Sequence, residues 1–503
     1  MKKPNILLIT SDQQHYNTIG KFNSEIQTPN LDRLVNKGMC FDRAYTVNPT
    51  CTPTRCSLIT GKYPSQHGAW TLGTKLREDE LTIGKVLQEE GYETALIGKA
   101  HFQQLRGSKE YPSLEAYPIL QDLDFWKNFN QDFYGFKHVE LARNHTCESH
   151  VGQHYALWLE EQGCENWKDY FVKPTGHVER NSIRHKWKIK EEYHYDTWIA
   201  ERTNAKLEEY KEKGENFFIW ASFFDPHPPY LVPEPWDTMY DKEDITSSKL
   251  REGEHEKNPP YFKMTQEETP DFSAFDESGM CIHGLESHLV EATLLEKDKK
   301  VYYAMISLMD KYIGKILDKL DELGLSEETI VVFTTDHGHF LGQHGLIAKG
   351  PFMYDDLIKV PLIVRWTGNI EEGVVNHSLQ SLVDIPTTLL SLLDIEKPYE
   401  MTGLDESQVW LSQKEKIRDH IICEHRHEET TVNMKTYVGE RYKLTVYYNQ
   451  IYGQLFDLQN DPEETNNLWD DEEAREIKQE LLLKYIWAEM GKESMYMPRI
   501  WHA

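Results

Sequence analysis

Short apolar runs that stop abruptly at polar side chains recur along this chain, with helical segments between them. Asn5 to Thr10 is one such run and ends at Ser11-Asp12. Glu93 to Ile97, Asn216 to Phe223, Thr329 to Thr334 and Val360 to Arg365 read as strands of the same kind. A strand buried on both faces is apolar throughout rather than at alternate positions. Thr28 to Gly38 reads as a helix, with Pro29 near its start and Gly38 after its end. Leu81 to Gly91, the long amphipathic stretch Leu294 to Leu323 and Ile385 to Leu393 are further helices. Repeated strand–helix alternation implies a parallel sheet, because parallel neighbours need a crossover and the crossovers cover both faces. The expected class is α/β: a large mixed, mostly parallel sheet sandwiched by helices.

The end of the chain has a different pattern. Arg441 to Tyr448 alternates in a strand-like way and Gln454 to Leu458 follows. Asn460-Asp461-Pro462 is a turn signal, and a helix is expected from about Glu472 to Met490. This predicts a main domain over 1–400 and a smaller C-terminal α+β domain over 401–503 with an antiparallel sheet. Gln103 to Tyr195 and Asp237 to His288 are rich in charge, aromatics and His but weak in periodicity, and read as insertions that shape a pocket or an oligomer contact.

Charge narrows the function. Among 503 residues, 55 are Lys or Arg and 83 are Asp or Glu, a formal net charge of −28. That balance argues against a nucleic-acid or anionic-membrane partner. An anionic substrate would need a site with locally concentrated positive charge. No apolar run approaches a membrane span. Lys2 and Lys3 before Ile6 to Ile9 resemble a signal peptide only superficially, because the run is too short and no small-residue cleavage site follows. The seven cysteines are odd in number and scattered, so no disulfide framework is expected. These features predict a cytoplasmic protein.

Ligands of open α/β sheets bind beyond the carboxyl ends of the strands. Ser11-Asp12-Gln13 and Thr334-Thr335-Asp336-His337-Gly338-His339 lie at two such ends. Asp12, Gln13, Asp336 and His337 together offer the oxygen and nitrogen donors of a divalent-cation cage. Either cluster alone is as readily a turn or a helix cap.

The run Cys51-Thr52-Pro53-Thr54-Arg55-Cys56-Ser57-Leu58-Ile59-Thr60-Gly61 resembles the signature of the sulfatase family: Cys or Ser, any residue, Pro, any residue, Arg, then Thr-Gly. Gly91-Tyr92-Glu93-Thr94 with Gly98-Lys99-Ala100-His101 is similar to a second family stretch. Phe224-Asp225-Pro226-His227-Pro228-Pro229-Tyr230 resembles its strand-end His-Pro motif, and Lys349-Gly350-Pro351 its substrate-binding Lys segment. Leu455-Phe456-Asp457-Leu458 and Asn460-Asp461-Pro462-Glu463-Glu464 resemble the family's ending. The motifs stand in family order. Without its neighbours Cys51 would read as a buried free thiol or as half of a Cys51–Cys56 disulfide.

The resemblance implies an alkaline-phosphatase-like fold and hydrolysis of a small anionic sulfate ester, aryl or carbohydrate. It implies that a formylglycine-generating maturation enzyme converts Cys51 to formylglycine (3-oxoalanine), an aldehyde that hydrates to a gem-diol. Asp12, Gln13, Asp336, His337 and residue 51 would hold one divalent metal ion. Arg55 and Lys99 would balance the nucleophile's charge, His227 would protonate the leaving alcohol, Lys349 would grip the sulfate, and His101 would take the proton that releases sulfate. Many sulfatases have Asp where this chain has Gln13 and Asn where it has His337. The Gln and His forms also occur in a sister group, the phosphonate monoester hydrolases and phosphodiesterases, which is the alternative reading. The less anionic cage leaves Mn²⁺ open beside the usual Ca²⁺. No catalytic position is missing, which opposes an inactive binding relative. The identity of the sulfated substrate and the oligomeric state are not legible.

Overall fold

A computed structural model describes residues 3–143, 148–171, 185–246, 248, 250–280 and 282–502. A nine-stranded sheet forms its centre. Its strands are β1 (Asn5–Ser11), β2 (Met39–Tyr45), β3 (Glu93–Gly98), β4 (His138–Leu141), β5 (Phe217–Ser222), β6 (Thr329–Thr335), β7 (Lys359–Arg365), β8 (Val374–Asn376) and β9 (Gln380–Ser381). The order is β8-β2-β7-β6-β1-β5-β3-β4, with β9 also paired to β2. Only β7 runs against its neighbours β6 and β2; the other pairings are parallel. This is the mixed, mostly parallel sheet expected.

The central strands are buried along their full length, which explains their unbroken apolar character. One hydrophobic cluster covers each face. Leu7, Ile9, Ile219 and Val331 point to the face packed by α4 (Tyr195–Lys213) and α5 (Ala292–Glu322). Ile6, Leu8, Trp220 and Val332 point to the face packed by α2 (Cys51–Thr60) and α3 (Ile83–Glu89). The expected helices near residues 28–38 and 385–393 are α1 (Pro29–Asn36) and α6 (Ile385–Leu392).

A separate four-stranded antiparallel sheet follows, in the order β10 (Ile421–Arg426), β11 (Asn433–Val438), β12 (Tyr442–Tyr447), β13 (Gly453–Asp457). The helix α7 (Arg475–Gly491) packs on β12. Among the described residues no helix is long and apolar enough to cross a membrane.

The sequence patterns under-read three places. The strand β2 and the first two strands of the small sheet carry too many polar residues to stand out as apolar runs. The stretch read as an insertion after Gln103 contributes β4, which adds a four-residue edge strand to the main sheet. Four residues are too few to display a period.

Candidate active site

The C-terminal ends of β1, β3, β5 and β6 share one edge of the sheet because these strands are mutually parallel. Asp12, Lys99 and Asp336 follow three of those ends directly. At Gly98 the chain enters the left-handed region, with φ of +107°. A Cβ there would stand 1.9 Å from the Ser222 carbonyl oxygen of β5. Glycine therefore permits the close approach in which the Lys99 N–H donates to that carbonyl at 3.0 Å.

Cys51 is the first residue of α2, all of whose residues are buried. Its Sγ lies 3.2 Å from His337 Nε2, 3.7 Å from Asp12 Oδ1 and 2.9 Å from Lys349 Nζ. One ligand atom from each of Asp12, Cys51, Asp336 and His337 lies within 4.8 Å of the others. Cys40, Cys51, Cys56, Cys164 and Cys423 are all free, so the Cys51–Cys56 bridge does not form.

Arg55, one turn along α2, ties the carboxylates to the strand ends. Its Nε donates to Asp336 Oδ2 at 2.8 Å, and its Nη1 donates to the Lys99 carbonyl at 3.1 Å and to Ser222 Oγ at 2.8 Å. Lys99 Nζ donates to Asp12 Oδ2. Burial pushes the Asp12 carboxyl up, but Lys99, Arg55 and Lys349 together pull it well below the usual carboxylate range. Burial raises Asp336 too, as does Asp12 beside it; Arg55 and His337 bring it below its ordinary value. Both groups are held as carboxylates. Burial pushes the Cys51 thiol up despite the pull of Lys349 and Lys99. An unmodified Cys51 is thus a poor source of thiolate.

Two further groups point lone pairs inward. His337 Nδ1 lies 2.9 Å from the Gly338 carbonyl, which places the proton there and leaves Nε2 an acceptor. Burial lowers this imidazole to about 4, so it is neutral near pH 7. Gln13 adopts φ of +63°. Its N–H donates to Asp336 Oδ1 at 2.9 Å, and its Nε2 donates to His339 Nδ1 at 2.6 Å. His339 Nε2 then faces the Tyr230 hydroxyl at 2.8 Å, and its ring stacks on Tyr302. These bonds fix the Gln13 amide, and its buried Oε1 has no hydrogen-bond partner among the described residues. A buried amide oxygen with no donor is costly unless something electropositive meets it. Two carboxylates, an imidazole lone pair and an orphan amide oxygen are a donor set that fits a divalent cation.

Lys349 sits 3.3 Å from His227 Nε2 and 3.4 Å from His337 Nε2. His227 Nδ1 donates to the Pro228 carbonyl at 2.6 Å, leaving Nε2 on the side of Lys349 and Cys51. The His101 backbone, at φ of +62°, donates from N–H to Glu115 Oε1 at 2.8 Å. Burial first, then Arg143 and Lys99, hold His101 well below the ordinary imidazole value. Its Nδ1 is buried with no partner among the described residues. Asp12, Asp336, His337 and Lys349 thus lie around Cys51, Arg55 and Lys99 bond to the two carboxylates, and His227 adjoins Lys349. Ser222, Glu115 and Arg143 were not foreseen, since each acts through a contact distant in sequence. His339 and Tyr230 lay inside recognised motifs without an assigned part.

The Sulfatase family model matches residues 4–395, which is most of the chain. The chain belongs to the sulfatase family. The C-terminal model of N-sulphoglucosamine sulphohydrolase matches residues 342–489. The arylsulfatase of Clostridium perfringens is 28% identical over 510 residues, covering 98% of this chain and 96% of the relative. The N-acetylglucosamine-6-O-sulfatase of Bacteroides thetaiotaomicron is 24% identical, covering 96% and 85%. The solved phosphonate monoester hydrolase of Agrobacterium radiobacter superposes with a TM-score of 0.79 at 21% identity, covering 98% of this chain and 97% of that one. The fold is thus alkaline-phosphatase-like, and this sulfatase is a sulfuric ester hydrolase.

Proposed function

We propose that this sulfatase hydrolyses an aryl or carbohydrate sulfate ester to the alcohol and inorganic sulfate, with residue 51 acting as a formylglycine hydrate beside one divalent cation. The observation that carries this reading is the convergence of Asp12, Cys51, Asp336 and His337 on one point, with Lys349 Nζ 2.9 Å from Cys51 Sγ. The Sγ atom stands in for the hydroxyls that the modified residue would present.

The cation, Ca²⁺ with Mn²⁺ as the second choice, would be held by Asp12, Gln13, Asp336, His337 and residue 51, and would supply positive charge for a nucleophilic oxygen and for sulfate. Held at residue 51, a formylglycine hydrate would supply one hydroxyl as the nucleophile toward sulfur and a second whose deprotonation would release sulfate. Arg55 and Lys99 hold the two carboxylates ionised and balance their charge, and Lys349 adds a positive charge beside residue 51. Lys349 grips the sulfate oxygens. His227 Nε2 would deliver a proton to the departing ester oxygen, and neutral His101 would accept the proton of the second hydroxyl. The local cations answer the problem posed by a chain of net charge −28.

Gln13 and His337 favour one second reading, a phosphonate monoester or phosphodiester hydrolase. An amide and an imidazole make the cage less anionic than an all-carboxylate one. Rates on 4-nitrophenyl sulfate and a matched nitrophenyl phosphodiester, with metal-loaded protein shown by peptide mass to carry formylglycine at 51, test both. A higher kcat/KM on the sulfate is expected; the reverse order would favour the second reading. Peptide mass analysis of fully active protein that finds only unmodified Cys51 would overturn the nucleophile and remove the need for a maturation enzyme.

A further inference from the structure

One buried cation near the site has no part in the chemistry above. The strands β3 and β4 run parallel with Gly98 opposite Leu141, and the Ala142 N–H donates to the Gly98 carbonyl at 3.1 Å. Arg143 therefore passes the edge of the sheet beside Ala100 and His101. It is as buried as the groups around Cys51, at 2% exposure against 3% for Lys349 and 4% for Lys99.

Glu115 anchors it. Arg143 Nη1 donates to Glu115 Oε2 at 3.1 Å. The same carboxylate accepts from the backbone N–H groups of His101 at 2.8 Å and Gln103 at 2.7 Å. The guanidinium is thus tied to the loop that carries His101. Among the described residues Glu115 is the only acceptor it meets. A guanidinium has five N–H donors in a fixed fork that matches a carboxylate or a sulfate in pairs. Here one donor is used for anchoring and most of the fork is not.

We propose that Arg143 is a specificity-determining residue that recognises a second anionic group on the substrate, a carboxylate or a further sulfate, beside the scissile ester. A buried cation with an incomplete set of acceptors is unfavourable until an anion completes it. Burial depresses the Arg143 guanidinium, the carboxylates of Glu115 and Asp12 oppose this, and Arg55 adds to it. Arg143 thus shares the electrostatic field of the nucleophile. The partly exposed His150 also feels this charge: burial, then Arg143, lowers its imidazole. Through Glu115 the guanidinium is held beside the loop that carries His101, next to the reacting centre. This inference rests on the sulfatase reading.

The experiment compares kcat/KM on pairs of sulfated monosaccharides that differ only in a second sulfate or carboxylate on the same ring, N-acetylglucosamine 6-sulfate and N-acetylglucosamine 3,6-disulfate being one pair. The wild-type enzyme should prefer the doubly anionic member of at least one pair by tenfold or more, chiefly through KM. Arg143→Gln should reduce that ratio at least tenfold, and Arg143→Lys should keep part of it. The ratio is the readout because any shift of His101 through Glu115 affects both members of a pair alike. Equal losses on both members, or a wild-type enzyme that favours the singly charged member of every pair, would overturn the proposal. If Arg143→Gln does not fold, the ratio in Arg143→Lys decides. Failure of the wild type on 4-nitrophenyl sulfate would overturn the sulfatase reading instead, which separates the two.

Discussion

Arg55 Nε meets Asp336 Oδ2 at 2.8 Å, both fully buried, and this pair joins the helix that carries Cys51 to the end of the strand β6. The nucleophile and the proposed cation cage are therefore positioned by one contact. Asp12→Ala is expected to abolish turnover and bring bound divalent metal from about one equivalent to near zero, with the fold retained at lower stability because buried Lys99 loses its partner. Asp336→Ala should do the same and also lower stability by about 3–5 kcal/mol, because Arg55 keeps its charge and loses its partner. Elemental analysis, activity and thermal melting check both. Full activity of either variant after exhaustive chelation would remove the metal role.

His227 and Lys349 should separate by leaving group. A sugar alkoxide is strongly basic and needs a proton as the S–O bond breaks, whereas a nitrophenolate leaves almost unaided. His227→Ala should lose on the order of 10²–10⁴-fold on a sugar sulfate, the usual scale of acid–base catalysis, and much less on nitrophenyl sulfate. Lys349→Ala should lose about equally on both, since both share the sulfate. Equal losses for His227→Ala in protein of unchanged metal content would refute its role as the acid.

Gly98→Ala tests the close approach of β3 and β5. The new methyl would stand 1.9 Å from the Ser222 carbonyl at a backbone angle that L-residues rarely adopt. A loss of about 3 kcal/mol or more is expected. Activity should fall with it, since Lys99 and Ser222 both contact Arg55. A melting temperature equal to that of the wild type would show that the strands separate without cost.

His344 should make stability pH-dependent. Burial lowers its imidazole, but hydrogen bonds to Asp356 and Glu254 more than reverse this and raise it to about 9. A raised folded-state value means that the protonated form is the stabilised one. The contribution is complete below the unfolded value near 6.5 and is lost as pH rises through about 9. Denaturant titrations should show stability falling by on the order of 1–3 kcal/mol between about pH 6.5 and 9. His344→Gln should flatten that slope. An unchanged slope in the variant would assign the loss to other groups.

Much of the site could be read from the chain because its residues lie in short contiguous motifs at strand ends. Asp12-Gln13, Cys51 to Arg55, Lys99 to His101, Asp336-His337 and Lys349 each follow a local signal. Arg143 had no such signal. It follows a four-residue edge strand in a stretch without period, and only the pairing of that strand with β3 brings it beside His101. Ser222 is similar: a serine ending a strand is unremarkable until Arg55, 167 residues away, donates to it.

By itself the sequence determined the strand–helix alternation, the mostly parallel central strands and the set of chemical groups at their ends. These follow from local physics: apolar runs make buried strands, and polar residues cannot continue them. Tertiary structure decided the rest. It reversed β7 within the sheet, fixed the Gln13 amide through His339 and Tyr230, and, among the described residues, gave the Arg143 fork Glu115 as its one acceptor. Orientation and unfulfilled hydrogen bonding depend on which distant groups arrive at the same place, and burial then makes each of those contacts energetically decisive.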